Sequence, residues 1–199
     1  MLGRTIGFAG VAALAVLVPT LAGADTARFF VVVRNVEESN GVHSEMLEEA
    51  RKLFTAELAR HPELTLTPPA ALDADPNGDN EAFKAALRAH KLRALELTLR
   101  ILEATKSIEP PPAGKPFRVL KRGVRLSVFG TTLPDKVMAI GGDGDAIIAA
   151  EIRKTDDEEK ESHKLIAEAT RVAITQAVDM TVTKLTLPPT AEKKARKKK

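Results

Sequence analysis

Residues 93–108 read RALELTLRILEATKSI. Leu95, Leu97, Leu99 and Ile101 alternate with Glu96, Thr98 and Arg100. A period of two sends the apolar set to one side of an extended chain and the polar set to the other. The stretch therefore predicts a β-strand with one buried face, and such a strand needs neighbours.

Downstream, Pro110-Pro111-Pro112-Ala113-Gly114 makes a turn. A second strand is expected over 117–130, with Leu120, Val124, Leu126 and Val128 on one face and Arg122 interrupting them. After a turn at 131–135, residues 137–140 predict a third strand. Gly141-Gly142-Asp143-Gly144-Asp145 is read as a turn or bulge, past which 146–152 continues the strand. Such short connections imply an antiparallel meander. A last helix is expected from Thr155, capped with Glu158 three residues on and ending before Pro188. Ile166, Ala169, Ala173, Ala177 and Met180 would be its buried stripe.

Upstream, Phe29-Phe30-Val31-Val32-Val33 predicts a buried strand within 25–36. Met46, Leu47, Ala50, Leu53, Phe54 and Leu58 recur at helical spacing across 42–60, with Ser44 as N-cap and Pro62 as the stop. Leu64 to Thr67 predicts a short strand, and 81–91 a short helix with Phe83 and Leu87 on one face. The fold class expected is α/β (α+β). It would be a two-layer sandwich of order β-α-β-α-β-β-β-α, with a mixed sheet and helices on one face. Its first two strands would pair in parallel through a right-handed crossover.

One domain over 25–187 is expected, between two dissimilar ends. Residues 1–24 resemble a secretory signal: Arg4, an apolar run from Ile6 to Val18, Pro19, then Ala22-Gly23-Ala24 as a cleavage site. An uncleaved anchor is the alternative, since 6–24 approaches the roughly 20 residues a bilayer needs. Pro19 and the small residues favour cleavage after Ala24. The product would be periplasmic or secreted, and no other segment is long and apolar enough to cross a membrane. Residues 188–199 read as a disordered basic tail carrying Lys193, Lys194, Arg196, Lys197, Lys198 and Lys199. The net charge of +3 comes from this tail, since residues 25–190 hold 23 cations against 26 anions. The tail could contact an anionic surface, at about 1 kcal/mol per cation near charged lipid. The acidic body, with no Tyr or Trp, argues against nucleic acid. With no Cys in 199 residues, disulfides, thiolate catalysis and cysteine-ligated metals are excluded.

The sharpest chemical pattern is Asp73, Asp75, Asn77, Asp79 and Glu81 around Gly78, oxygen donors spaced as in a calcium loop. The position that should carry the bidentate Glu is Lys84, which opposes Ca²⁺. The alternative is an Asx-turn loop that caps the following helix. The glycine cluster lacks the Lys-Ser/Thr of a phosphate loop. His43, His61, His90 and His163 fit no H-E-x-x-H pattern and read as surface or capping residues. Asp156 to Glu159 open a helix, where acids are expected. No phrase aligns a Ser with His and Asp.

The FVVV strand, ELARHPELTLTP, FKAALRAHKL and VRLSVFGTTLPDKVMAIGGDGDA follow one another across 28–184. This succession resembles the periplasmic α/β domains of curli-secretion lipoproteins, of penicillin-binding-protein-activator lipoproteins and of the N-terminal domain of the Tol translocation protein. The resemblance implies a non-enzymatic envelope protein acting by protein binding or self-assembly, through sheet edges and exposed helix faces. It transfers no functional residue, and unlike many such proteins this chain has no Cys to carry lipid. A calcium-dependent binding module is the alternative function, and a hydrolase of unrecognised pattern a third.

Overall fold

The computed structural model describes residues 28–38, 44–68, 80–111 and 113–187. The signal, the basic tail and positions 73–79 lie outside the described residues. The element order is β1 (Phe29–Glu38), α1 (Ser44–Leu58), β2 (Leu64–Thr65), α2 (Asn80–Ala89), β3 (Arg93–Glu109), β4 (Phe117–Leu133), β5 (Met138–Arg153) and α3 (Glu158–Thr186). The strands form one mixed sheet in the order β2-β1-β3-β4-β5. β1 pairs in parallel with β2 and β3, and β3, β4 and β5 form the antiparallel meander. The α+β class and the order of elements agree with the sequence reading.

The alternation in β3 fixes the core. Leu95, Leu97, Leu99 and Ile101 are fully buried, facing Val31 of β1 and Leu126 and Val128 of β4. Ala50, Phe54 and Leu58, each four residues apart, bring α1 onto this face. Each large aliphatic or aromatic side chain so buried contributes about 1.5–3 kcal/mol. Two shifts of register, between Val33 and Asn35 and between Ile101 and Glu103, keep the long strands in phase with that core.

Five expectations are corrected. First, Gly141 to Asp145 form no turn; they lie inside β5, paired residue for residue with β4. The glycines admit α3. A Cβ on Gly142 would lie 2.3 Å from the Ala177 carbonyl oxygen, and one on Gly144 1.9 Å from that of Ala173. Close backbone approach, not chain reversal, is what these positions require. Second, α3 is capped by Asp157 rather than Thr155. The Asp157 carboxylate accepts the Glu159 and Lys160 N–H groups at 3.1 Å each. Third, Met180 is exposed, and Thr181 is the buried residue at that turn, its hydroxyl donating to the Ala177 carbonyl at 2.7 Å. Fourth, α2 lies on the opposite face from α1 and α3. Its Phe83 and Leu87 pack on Phe30, Ala94 and Leu133, the outward-alternating residues of β1, β3 and β4. Fifth, the short second strand stops at Thr65 rather than Thr67.

The first turn of α3 is tied to the sheet by Glu158, which accepts from Lys106 Nζ at 2.8 Å and Arg118 at 3.4 Å. The Lys106 hydrogen bond, with the charges of Lys106 and Arg118, holds its carboxyl below the usual carboxylate pKa.

Two predictions follow from this packing. Gly144→Ala drives a methyl into the backbone of α3, so it should cost about 2 kcal/mol or more in urea unfolding. Gly141→Ala, whose Cβ would sit 3.4 Å from the nearest atom, should change stability by under about 0.5 kcal/mol. A carboxyl whose pKa falls on folding adds stability above its unfolded pKa and loses it as pH falls through the folded value. The melting-temperature gap between the protein and Glu158→Gln should therefore be present at neutral pH and close on titration through the acid range below the ordinary Glu pKa.

Candidate functional site

Of the five calcium-loop candidates, Glu81 alone lies among the described residues. It stands exposed in the first turn of α2, its carboxylate 3.7 Å from Lys84 Nζ. Lys84 also reaches Asp135 at 3.2 Å, so the cation at the decisive calcium position is engaged with two carboxylates. Asp73, Asp75, Asn77 and Asp79, and Lys193, Lys194, Arg196, Lys197, Lys198 and Lys199, lie outside the described residues.

Beyond α2, the sheet face opposite α1 and α3 carries cross-strand charge pairs. Arg34 meets Glu96 at 2.7 Å, Arg100 donates to Glu37 at 2.9 Å through Nε, and Arg125 approaches Glu103 at 3.7 Å. The Arg100 guanidinium also lies 5.3 Å from the Phe129 ring centre. Pairs of this kind are worth at most about 1 kcal/mol each. They serve to keep the face wetted, and a wetted face has little apolar area to offer a partner.

The edge of the sheet is different. β5 has β4 as its one strand neighbour among the described residues. Antiparallel pairing turns the N–H and C=O of alternate residues outward. Three contacts identify these as the odd-numbered ones. The Asp145 N–H donates to Gln176 at 3.2 Å, the Gly141 carbonyl accepts from Lys184 Nζ at 2.6 Å, and the Arg153 N–H donates to Asp156 at 2.7 Å. Side chains thus cover the edge at both ends. Between them, Ile147, Ala149 and Glu151 present outward backbone groups, and Ile147 is 69% exposed. Residues 146–152, AIIAAEI, are apolar save one carboxylate. Natural sheets usually guard such an edge with charge, proline or a bulge. Sequence reading found this strand but not its edge position, because strand order is set by long-range pairing.

On the covered face, a cavity of about 510 Å³ lies between α1, α3 and the sheet. Its lining includes Met46, Lys106, Arg122, Ser162, His163 and Ile166. Arg122 sits in the otherwise apolar row of β4, opposite Lys106 on β3 and Ile148 on β5. Its Nε is buried without a hydrogen-bond partner, and burial lowers its pKa.

A third cluster joins Glu57, His61 and Asp179, whose donor atoms lie within 4.8 Å of one another. One imidazole nitrogen and two carboxylates form a donor set that zinc accepts. Arg60, however, already holds the Glu57 carboxylate at 3.0 Å, placing a cation where a metal would bind. His61, read from sequence as a surface or capping residue, does follow the end of α1, and it is half-buried with Nε2 3.4 Å from Asp179 Oδ1. Asp179 comes from α3, far along the chain, so no local pattern announced the meeting.

No family model and no curated protein matches the chain. Among solved structures it is similar to a neuraminyllactose-binding hemagglutinin homologue from Helicobacter pylori, at 12% identity and a TM-score of 0.47 over 87% of this chain and 89% of that one. It is also similar to a minor lipoprotein from Acinetobacter baumannii, at 10% identity and a TM-score of 0.35 over 72% and 82%. The rare lipoprotein B from Shewanella oneidensis matches at 11% identity and a TM-score of 0.35 over 85% and 99%. Bacterial lipoproteins thus stand among its structural neighbours. None of these three is a curli-secretion, penicillin-binding-protein-activator or Tol protein. At such identities and scores the likenesses carry no argument about what this chain binds.

Proposed function

We propose that this is a non-enzymatic, exported envelope protein that works by protein–protein binding, and that β5 is its contact strand. The observation that carries this reading is the stretch Ile147–Glu151, whose outward edge is left uncovered among the described residues, on a sheet whose face beyond α2 carries cross-strand charge pairs. An extended partner segment added there would gain main-chain hydrogen bonds from alternate residues and side-chain contact with Ile147. Export is inferred from the signal-like pattern of residues 1–24.

A second copy of the chain fits the edge by its own charge pattern. Antiparallel pairing about a two-fold axis at Ala149 sets Ile147 opposite Glu151 and Asp145 opposite Arg153 on the facing strand. Opposite charges across strands favour that register, and the same patch serves both partners, as a two-fold interface requires.

Sedimentation velocity on the purified chain tests this. The protein should sediment as a dimer at micromolar concentration. Ala149→Pro should weaken association about tenfold or more, since it removes an outward donor while leaving the β4 ladder intact. Asp145→Arg combined with Arg153→Asp should restore pairing that either single change weakens. A monomer at all concentrations, with no strand partner recovered from envelope extract by crosslinking at Ile147, would overturn the reading.

A further inference from the structure

The row Leu120, Arg122, Val124, Leu126, Val128 places a guanidinium among side chains that are otherwise fully or nearly fully buried and apolar. Its cross-strand neighbour Lys106 is a like charge, an arrangement that costs stability. Lys106 is compensated by Glu158 at 2.8 Å. Arg122 makes no ion pair among the described residues, and its buried Nε–H has no acceptor. A buried donor left without an acceptor costs stability. Arginine cannot escape the cost by losing its proton.

The space above Arg122 is concave and mixed in character. Its volume of about 510 Å³ lies within the roughly 300–1,000 Å³ of small-molecule sites. Met46, Ile166 and Ala167 supply apolar wall, and Ser162 and His163 line it beside the guanidinium. Glu49 and Glu159 also line it. Lys106 is paired with Glu158, so Arg122 is the arginine or lysine of this lining that makes no ion pair among the described residues, and the two carboxylates limit how much negative charge a ligand can bring. A dianion such as phosphate would meet their repulsion in full. A single carboxylate matches the planar guanidinium fork, and a hydrocarbon arm matches the wall.

We infer that the cavity between α1, α3 and β4 is a binding site for a monocarboxylate bearing a hydrocarbon chain, with Arg122 holding the carboxylate. The Arg122 guanidinium faces the carboxylate across the lining of the cavity, and the chain lies along Met46 and Ile166. This site is separate from the β5 edge and does not depend on the reading given for it.

Octanoate is the probe, titrated into the full chain by calorimetry alongside octanol, butyrate and inorganic phosphate. Octanoate should bind, with octanol and butyrate each weaker by about tenfold or more, the worth of one charge-assisted hydrogen bond or a few buried methylenes. Arg122→Met should lose octanoate binding by a similar factor. It should also raise the melting temperature, because it removes a buried donor that has no acceptor. A merely structural arginine would give the opposite stability change. No octanoate binding at millimolar concentration would overturn the inference. So would equal binding of octanol, binding unaffected by Arg122→Met, or phosphate competing as well as octanoate.

Discussion

The distance between α3 and β5 governs the covered half of this molecule. A 29-residue helix, roughly 43 Å long, can lie flat on a sheet only where side chains between them are small. Ala169, Ala173 and Ala177 provide that on the helix, and Gly142 and Gly144 on the strand. Because the middle of α3 is pinned there, its two ends are set as well. One end reaches Lys184 to the Gly141 carbonyl, and the other brings Glu158 to Lys106 and Arg118. The helix axis in turn decides how much room is left over β3 and β4, and so where the cavity at Arg122 opens.

The two faces of the sheet manage polarity in opposite ways. On the open face, arginines at 34, 100 and 125 each face a carboxylate, and water screens whatever remains. On the covered face the Arg122 guanidinium stands in an apolar row of β4 and makes no ion pair among the described residues. Consistency between local pattern and fold usually breaks at sites retained for something other than stability. Arg122 is that break in this protein, and its place beside a cavity distinguishes it from the many solvated charges elsewhere on the surface.

Much of the fold was legible because single segments encode it. The alternation of Leu95 to Ile101 states a one-sided strand, and Ala50, Phe54 and Leu58 state a helix face. What was illegible depends on distant partners. Glycines at 141, 142 and 144 read locally as a turn, since only the arrival of α3 shows why a side chain is barred at 142 and 144. Phe83 and Leu87 state that α2 has an apolar face but not which side of the sheet receives it. That answer rests on Phe30, Ala94 and Leu133, which belong to three other elements. Asp157 displaced Thr155 as the cap because both stand within reach of a helix start, and only backbone geometry chooses between them. The candidate site was legible only as an anomaly. Arg122 was visible as an interruption of an apolar row, while the cavity beside it and the edge position of β5 come from tertiary packing.

The placing of β1 has a consequence for how the chain assembles. Its neighbours β2 and β3 are both parallel to it, so neither ladder can close through a tight turn. Phe29 must find Arg93 across 64 intervening steps of chain, whereas β3, β4, β5 and α3 succeed one another as local reversals. Entropy is lost in small increments along the second half and in one large increment for the first strand. The place beside β3, the middle strand of the sheet, is thereby filled by the strand that is synthesised first and secured last. Until it arrives, the edge of β3 that awaits β1 stands as open as the edge of β5 does in the finished fold.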